Sequence, residues 1–137
     1  MSAFVLDASF SLTWCFPDRA TPNTRSTLRR MEAHVDSAFV PWIWQVEVGN
    51  ALGKAAVRNK VTLLRVIELW NELLLLPIRQ MAIGDIPRLM ELAVTNNLSM
   101  YDTCYLHAAM LLNLPLATID QKLKLAAEAC GLATMTA

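Results

Sequence analysis

Short apolar runs alternate along this chain with longer segments in which apolar residues recur every three or four positions. The short runs predict five β-strands, at residues 3–7, 38–41, 77–82, 115–119 and 132–136. Strands that alternate with helical segments are typical of βα units, in which a crossover helix joins two parallel strands. The pattern therefore predicts a single α/β domain with a parallel sheet over residues 1–137.

Six helices are expected between these strands. Thr21 and Pro22 are typical of an N-cap followed by a first-turn proline, which predicts a helix to about residue 35 with Leu28, Met31 and Val35 on its inner face. Ser99 is expected to cap a helix that runs to about residue 113, and Gly131 to follow the end of the last helix. The remaining helices are predicted at 43–58, 61–75, 86–96 and 121–130, the second with Leu63, Ile67, Trp70 and Leu74 at helical spacing.

Composition narrows the class of protein. Hydrophobic residues make up 55% of the chain, which suggests that self-association or a partner covers apolar surface. Charged and polar residues interrupt every apolar stretch before it reaches the length of a membrane span, and no basic segment precedes the first apolar run. We therefore expect a cytoplasmic protein with no membrane contact. Its three cysteines, Cys15, Cys104 and Cys130, are interpreted as reduced, buried apolar residues.

Two aspartates follow predicted strands. Asp7 comes after the first strand and Asp120 after a later one. Ligands of open parallel sheets bind beyond the carboxyl ends of the strands, so both carboxylates are expected at one place. Either residue taken singly also suits an ordinary helix N-cap.

Two further acids lie near the starts of predicted helices. Glu47 stands among apolar residues, with Asn50 one turn later on the same helix face. Asp102 follows Ser99 at capping-box spacing, which favours a capping role without excluding a second one. Glu47 has its own simple explanation, since an acid near a helix N-terminus complements the helix dipole.

Four converging carboxylates repel one another in a cleft of low dielectric constant, and divalent cations remove that repulsion. Mg²⁺ or Mn²⁺ prefers oxygen ligands and bridges carboxylates to phosphate. Two such ions roughly 4 Å apart would activate a water and stabilise the leaving oxygen in phosphodiester cleavage. Twelve acidic residues balance twelve basic ones, so RNA would have to be held by a local basic patch.

The sequence resembles the PIN-domain nucleases, and in particular the VapC-like ribonuclease toxins of type II toxin–antitoxin pairs. Four words carry the resemblance in order over nearly the whole chain: VLDASF, VPWIWQVEVGNAL, LSMYDTCYLHAA and LPLATIDQKLKLAAEACG. Their acids are Asp7, Glu47, Asp102 and Asp120.

The resemblance implies a three-layer α/β/α sandwich with a mainly parallel sheet, a homodimer, and Mg²⁺-dependent endoribonuclease activity that leaves a 5′-phosphate and a 3′-hydroxyl. It also implies inhibition by a cognate antitoxin that lays a hydrophobic segment along a groove. The four acids would hold the metal, with Ser9, Asn50 and Thr118 orienting carboxylates or water around them. Local capping and turn bonds are the alternative role for these three residues.

Other functions remain open at this stage. A PIN fold that binds RNA or a partner without cutting is one, and a receiver-like signalling domain that accepts phosphate on Asp7 is another. The receiver hypothesis is weakened because the first strand ends in a lone aspartate and no lysine follows the last strand.

Several residues have competing interpretations. Cys104 and His107 are expected to pack rather than bind metal. The tryptophans 42, 44 and 70 are expected in the core or an interface rather than stacked on bases. Arg25, Arg29 and Arg30 form a helix face for RNA phosphate or for solvent, with Arg29 near Glu32. Gly49 and Gly53, which weaken a helix interior, suggest close packing of another helix or subunit.

Overall fold

Five parallel strands form one sheet in the computed structural model, which describes residues 2–137. The strand order is β3-β2-β1-β4-β5, and all four pairings are parallel. The number of strands and their direction confirm the prediction. The strands are β1 Ser2–Leu6, β2 Asp36–Pro41, β3 Ile78–Met81, β4 Leu116–Ala117 and β5 Thr134–Met135.

Seven α-helices cover the two faces of the sheet, which confirms the three-layer α/β/α sandwich. The chain moves toward one edge of the sheet from β1 to β3, and toward the other edge from β3 to β5. Because crossovers between parallel strands are right-handed, the helices before β3 lie on one face and those after β3 lie on the other. The first group is α1 Ala8–Cys15, α2 Pro22–Glu32, α3 Ile43–Val57 and α4 Leu63–Leu74, with a 3₁₀ turn at Pro17–Arg19 after α1. The second group is α5 Ile86–Asn96, α6 Met100–Leu112 and α7 Gln121–Ala129.

Helix α1 was not among the predicted helices. Six of its eight residues are buried, including Phe10, Leu12 and Cys15, so the helix has no polar stripe to reveal a helical period. Its β-branched and aromatic residues also have lower helix propensity than the residues of the surface helices. Burial between neighbouring layers decides its conformation.

Helix α2 begins as predicted and ends earlier. Thr21 caps it and forms a reciprocal capping box with Thr24. The helix ends at Glu32, and His34 adopts a left-handed conformation with φ of 55°, which turns the chain toward β2. The prediction that Val35 lies on the inner face was therefore wrong: Val35 is 43% exposed, whereas Met31 is buried.

Helix α4 buries a different stripe from the one its spacing suggested. Val66, Leu69 and Leu73 face the core. Of the residues noted for their helical spacing, Trp70 packs against the core, whereas Leu63, Ile67 and Leu74 are exposed. The apolar side of α4 is wide and lies opposite the side that carries Arg65, Glu68 and Glu72, and only one edge of the apolar side faces the core. The side chains of Leu63 and Leu74 are therefore exposed on the surface of this chain.

The predicted packing roles hold for most of the other residues. Trp44 is buried, and its ring centroid lies 5.6 Å from that of the half-buried Trp70, whereas Trp42 is 45% exposed. All three cysteines are free, but Cys130 is exposed, so the prediction of three buried thiols was wrong for it. No helix between residues 2 and 137 is both long enough and apolar enough to cross a bilayer.

The strand order identifies where a ligand would bind. The chain runs outward from β1 through β2 to β3, returns to β4 on the other side of β1, and then continues outward to β5. The switch point therefore lies between β1 and β4. Asp7 follows β1 and Thr118 follows β4, directly at this point. The order also differs from the 2-1-3-4-5 order of receiver domains, which removes the receiver hypothesis.

Candidate active site

Asp7 lies at the centre of the carboxyl edge of the sheet. Its backbone N–H donates to Ala117 across 2.9 Å, which fixes it between β1 and β4. The side chain is buried, 4% exposed, and its Oδ2 accepts hydrogen bonds from the hydroxyls of Ser9 and Thr118, the latter at 2.7 Å. Burial raises the pKa of Asp7 from 3.8 to about 6, although these two hydrogen bonds lower it.

The Thr118 hydroxyl joins two of the acids. It donates to Asp7 and accepts the backbone N–H of Asp120 across 3.0 Å. The Ser9 hydroxyl in turn accepts the N–H of Ile119 across 3.2 Å. The two hydroxyls therefore bind the start of α1 to the turn that follows β4, and they hold Asp7 in one orientation.

Glu47 reaches the same edge from the first turns of α3. Its Oε1 accepts a hydrogen bond of 2.7 Å from the phenol of Tyr105 on α6. Burial raises the pKa of Glu47, the Tyr105 hydrogen bond lowers it, and the charge of Asp102 raises it. Tyr105 is fully buried, and this burial raises its own pKa, so the phenol stays a proton donor at neutral pH.

Asp102 lies in the first turn of α6, half-buried. Its backbone N–H donates to Ser99 Oγ across 3.1 Å, so Ser99 is the cap that the sequence predicted, and the Asp102 carboxylate is not needed for that bond. Burial raises the pKa of Asp102, the charge of Asp120 raises it further, and Ser99 and Lys122 lower it.

Asp120 does act as the N-cap of α7. Its Oδ1 accepts the N–H of Leu123 across 2.9 Å, while the side chain stays exposed at the sheet edge. The capping interpretation and the site interpretation therefore both describe features of this residue. A carboxylate keeps a second oxygen for another partner when one oxygen caps a helix.

The charges of the four acids act on one another. Glu47 and Asp102 both disfavour the charged form of Asp7, and Asp120 does the same to Asp102. Each of these effects requires the carboxylates to lie near each other. The structure thus brings together Asp7, Glu47, Asp102 and Asp120 from four separate segments of the chain.

The donor chemistry suits a hard divalent cation. The cluster contains carboxylate oxygens, and positive charge would relieve both the repulsion and the cost of burial. Within residues 2–137 no three potential ligands enclose a single ion.

Asn50 differs from the other predicted orienting residues. Ser9 and Thr118 contact Asp7, whereas Asn50 is exposed on α3 and its side chain makes no hydrogen bond to residues 2–137. Sequence reasoning missed Tyr105. The available signal was its position three residues after Asp102, on the same face of one helix.

The residues set aside in the sequence do not join the site as ligands. Cys104 is buried, and the His107 ring packs so closely on Gly84 that a side chain there would clash with the imidazole. Arg30 is held by Asp36 across 2.7 Å, so it is not part of a free basic face. No ion pair joins Arg29 to Glu32 in the portion of the chain that the structure describes.

Two solved structures share this architecture. PAE2754 from Pyrobaculum aerophilum matches with a TM-score of 0.77 at 20% identity, covering 97% of this chain and 83% of that one. VapBC2 from Rickettsia felis, bound to a DNA fragment from its promoter, matches with a TM-score of 0.67 at 12% identity and 96% coverage of both chains. No family model and no curated protein sequence matches this chain. The structural likeness shows that this chain shares the fold of these two proteins.

Proposed function

We propose that this chain, which has the fold of a VapC-like PIN domain, is a Mg²⁺- or Mn²⁺-dependent endoribonuclease and the toxin of a type II toxin–antitoxin pair in the cytoplasm. The observation that carries the proposal is the convergence of four acids at the topological switch point around the buried Asp7. A carboxylate that costs this much to bury is retained where charge has a use.

The side chains of the site have different proposed roles. Asp7, Glu47, Asp102 and Asp120 hold the cation, which when bound supplies an activated water and neutralises phosphate charge. Tyr105 orients Glu47, and the hydroxyls of Ser9 and Thr118 orient Asp7, as the groups behind metal ligands commonly do. No side chain acts as a nucleophile, and the products carry a 5′-phosphate and a 3′-hydroxyl. Asn50, exposed one turn from Glu47, is assigned to water or substrate.

A groove between α1, α2 and α4 suits the antitoxin. Its volume is about 470 Å³, and Trp14, Leu28, Leu69 and Leu76 are among the residues that line it. The exposed leucines of α4 extend the apolar surface beside it. An amphipathic segment of a partner would cover both, as helix-in-groove recognition does. The R. felis structure, which contains VapBC2, supports an antitoxin as that partner.

A second copy of the chain is assigned to the outer side of α3. We call this surface the α3 seam: Trp42, Val46, Gly49, Gly53 and Val57, spaced at helical repeats and exposed. A Cβ at either glycine meets nothing within 4 Å, so the close packing that the glycines suggested does not occur within this chain. A homodimer through this side would supply it.

The alternative is a PIN-fold module that binds RNA or a partner without cutting. The lack of an enclosed three-ligand metal site among residues 2–137 is the observation that favours it. Asp102→Asn separates the two hypotheses: loss of cleavage with retained RNA binding supports the enzyme, and identical behaviour of wild type and variant in every assay supports the module.

The decisive experiment is cleavage of a labelled structured RNA by the purified protein in Mg²⁺, in Mn²⁺ and in EDTA. Asp7→Asn should abolish cleavage, whereas Glu91→Gln, which removes an exposed acid of α5, should not. Metal-dependent cutting that is lost in EDTA and in Asp7→Asn supports the proposal. No cutting, together with no rise of Tm on adding either ion, contradicts it.

A further inference from the structure

A pocket at the far ends of α1 and α3 concentrates positive charge. We call it the basic pocket: Arg19, Lys54, Arg58 and Lys60, all exposed, around a volume of about 440 Å³. Asp18 is the one acid that lines it, so four cations and one anion give a local charge of +3. None of the four cations forms a salt bridge within the described residues. Such a concentration of unpaired cations attracts a polyanion.

The net charge of the protein is zero, although positive charge is concentrated at the basic pocket. The chain has twelve acids and twelve basic residues, and four of the acids belong to the candidate active site. When cations neutralise those four, the remaining charges are twelve positive and eight negative, a net +4. Two other acids, Glu32 and Glu72, line the α1/α2/α4 groove and not the basic pocket. The basic pocket is therefore a local concentration of positive charge in a protein whose total charge is zero.

The backbone positions these cations. Asn59 ends α3 in a left-handed conformation with φ of 56°, and the Lys60 N–H donates to Ala55 across 3.0 Å, which folds Lys60 back over the helix end. Arg19, the last residue of the 3₁₀ turn, lies over the Phe16 ring at 4.7 Å. Lys54 and Arg58 also complement the α3 dipole, but that role does not account for Arg19, which comes from another segment.

The basic pocket is aligned with the acids along one face of α3. Glu47, Lys54 and Arg58 are separated by seven and four residues, which places them on one stripe of the helix. At 1.5 Å per residue, Lys54 and Arg58 lie about 10 and 16 Å along the axis from Glu47. A nucleic-acid strand advances about 3.4 Å per nucleotide when stacked, so these distances span about three to five nucleotides. The α3 seam occupies a different side of the helix.

We propose that the basic pocket binds RNA phosphates about three to five nucleotides from the cleaved bond, so that the substrate strand follows α3 from the acids to this pocket. This inference rests on the proposed ribonuclease function. It adds a reason for RNA rather than a mononucleotide to be the substrate, because a single nucleotide cannot reach both ends of the helix.

Fluorescence anisotropy with a labelled 12-nucleotide single-stranded RNA tests the pocket, in EDTA so that no cleavage occurs. Each phosphate contact on a single strand contributes about 0.7 to the slope of log K against log salt, so Lys54→Gln/Arg58→Gln should flatten the slope by about 1.4 and weaken binding about 25-fold at 0.1 M salt. Arg25→Gln/Arg29→Gln removes the same charge from α2 and should weaken binding less than threefold. Arg19→Gln, on a separate segment, should weaken binding in the same direction as the pocket pair.

Three results would overturn the inference. They are no binding by the wild type at low salt, equal weakening by both double variants, and equally tight pocket-dependent binding of a 12-residue polyglutamate peptide, which would assign the pocket to an acidic protein segment. RNA cleavage in Mg²⁺ is measured in a separate assay, which tests the proposed ribonuclease function independently of the pocket. Pocket-dependent binding without cleavage would contradict only the ribonuclease, and cleavage with pocket-independent binding would contradict only the pocket.

Discussion

Tyr105 of α6 donates a hydrogen bond of 2.7 Å to Glu47 of α3, and so joins two helices from opposite faces of the sheet. Tyr105→Phe leaves the aromatic ring in place and removes the hydroxyl that donates this hydrogen bond to Glu47. We expect a loss of about 1–2 kcal/mol in the free energy of unfolding, since the acceptor is charged. The pKa of Glu47 should rise, which shifts Mg²⁺ stabilisation to higher pH.

Urea unfolding and the Tm with and without Mg²⁺ measure these effects. Tyr101→Phe is the matched control, because Tyr101 lies on the same helix and is 64% exposed. It should change the free energy of unfolding by less than about 0.5 kcal/mol. If both variants behave alike, the hydrogen bond to Glu47 has no role in stability or metal binding.

Thr118 supports Asp7 and the backbone of Asp120 with one hydroxyl. Thr118→Val keeps the shape and removes both bonds, so we expect a loss of about 2–4 kcal/mol in the free energy of unfolding at pH 7.5. Thr118→Ser keeps the hydroxyl and should lose about 1 kcal/mol through the missing methyl group. Equal losses in the two variants, measured by urea unfolding, would mean that packing and not hydrogen bonding accounts for this position.

Sequence reasoning predicted the fold well wherever an element has one polar side. The surface helices α2, α5 and α7 show apolar residues on one face, and the caps Thr21 and Ser99 mark the starts of α2 and α6. It failed for α1, which is buried on most sides, and it did not locate the part of the wide apolar side of α4 that faces the core. In these two helices tertiary packing selects the buried surface, and periodicity contains no record of that choice.

Some features of the candidate active site could likewise be predicted from the sequence, and others could not. Strand-end aspartates could be placed together from topology alone, because parallel strands end at one edge. The Tyr105 contact could not, since it depends on how α3 and α6 approach across the sheet edge. Asn50 shares a helix face with Glu47, but the shared face does not determine whether its amide turns inward, and it is exposed. Side-chain direction at partly buried positions depends on neighbours distant in sequence.

The buried Asp7 should make stability depend on pH. In the unfolded chain its carboxyl titrates near 3.8, and in the folded protein at about 6, so the folded state binds more protons between these values. The free energy of unfolding should therefore fall by roughly 2 kcal/mol from this group as pH rises from about 4 to about 6.5. Asp7→Asn should lack this part of the slope.

Unfolding curves of the two proteins from pH 4 to pH 8 provide the comparison, with the difference between them assigned to Asp7. Because a cation binds the ionised form, Mg²⁺ should raise the Tm of the wild type at pH 7.5 and have little effect at pH 5. Parallel pH profiles of the wild type and Asp7→Asn would show that Asp7 ionises normally in the folded protein.

Asp120 allows its capping role to be separated from its charge. Asp120→Asn keeps an oxygen for the Leu123 N–H and removes the charge, whereas Asp120→Ala removes both. Asn should preserve the stability of the metal-free protein, and Ala should lower it by about 1 kcal/mol. Both should reduce the rise in Tm on adding Mg²⁺. Full Mg²⁺ stabilisation of Asp120→Asn would leave Asp120 as a helix cap only.

A substitution at Gly53 in the α3 seam should affect the stability of the single chain and the association of two chains in opposite directions. A Cβ added there meets no atom within 4 Å, and Gly53→Leu should stabilise the isolated helix by about 0.5–1 kcal/mol, since glycine is a poor helix former. In a homodimer packed through this side the same leucine would separate the two helices. We therefore expect Gly53→Leu to weaken association in sedimentation velocity while the Tm of the dilute protein does not fall. Ser26→Leu adds the same side chain on the exposed side of α2 and should leave association unchanged. If Gly53→Leu sediments as the wild type does at every concentration, the α3 seam is not the dimer interface, and another surface must account for the glycines.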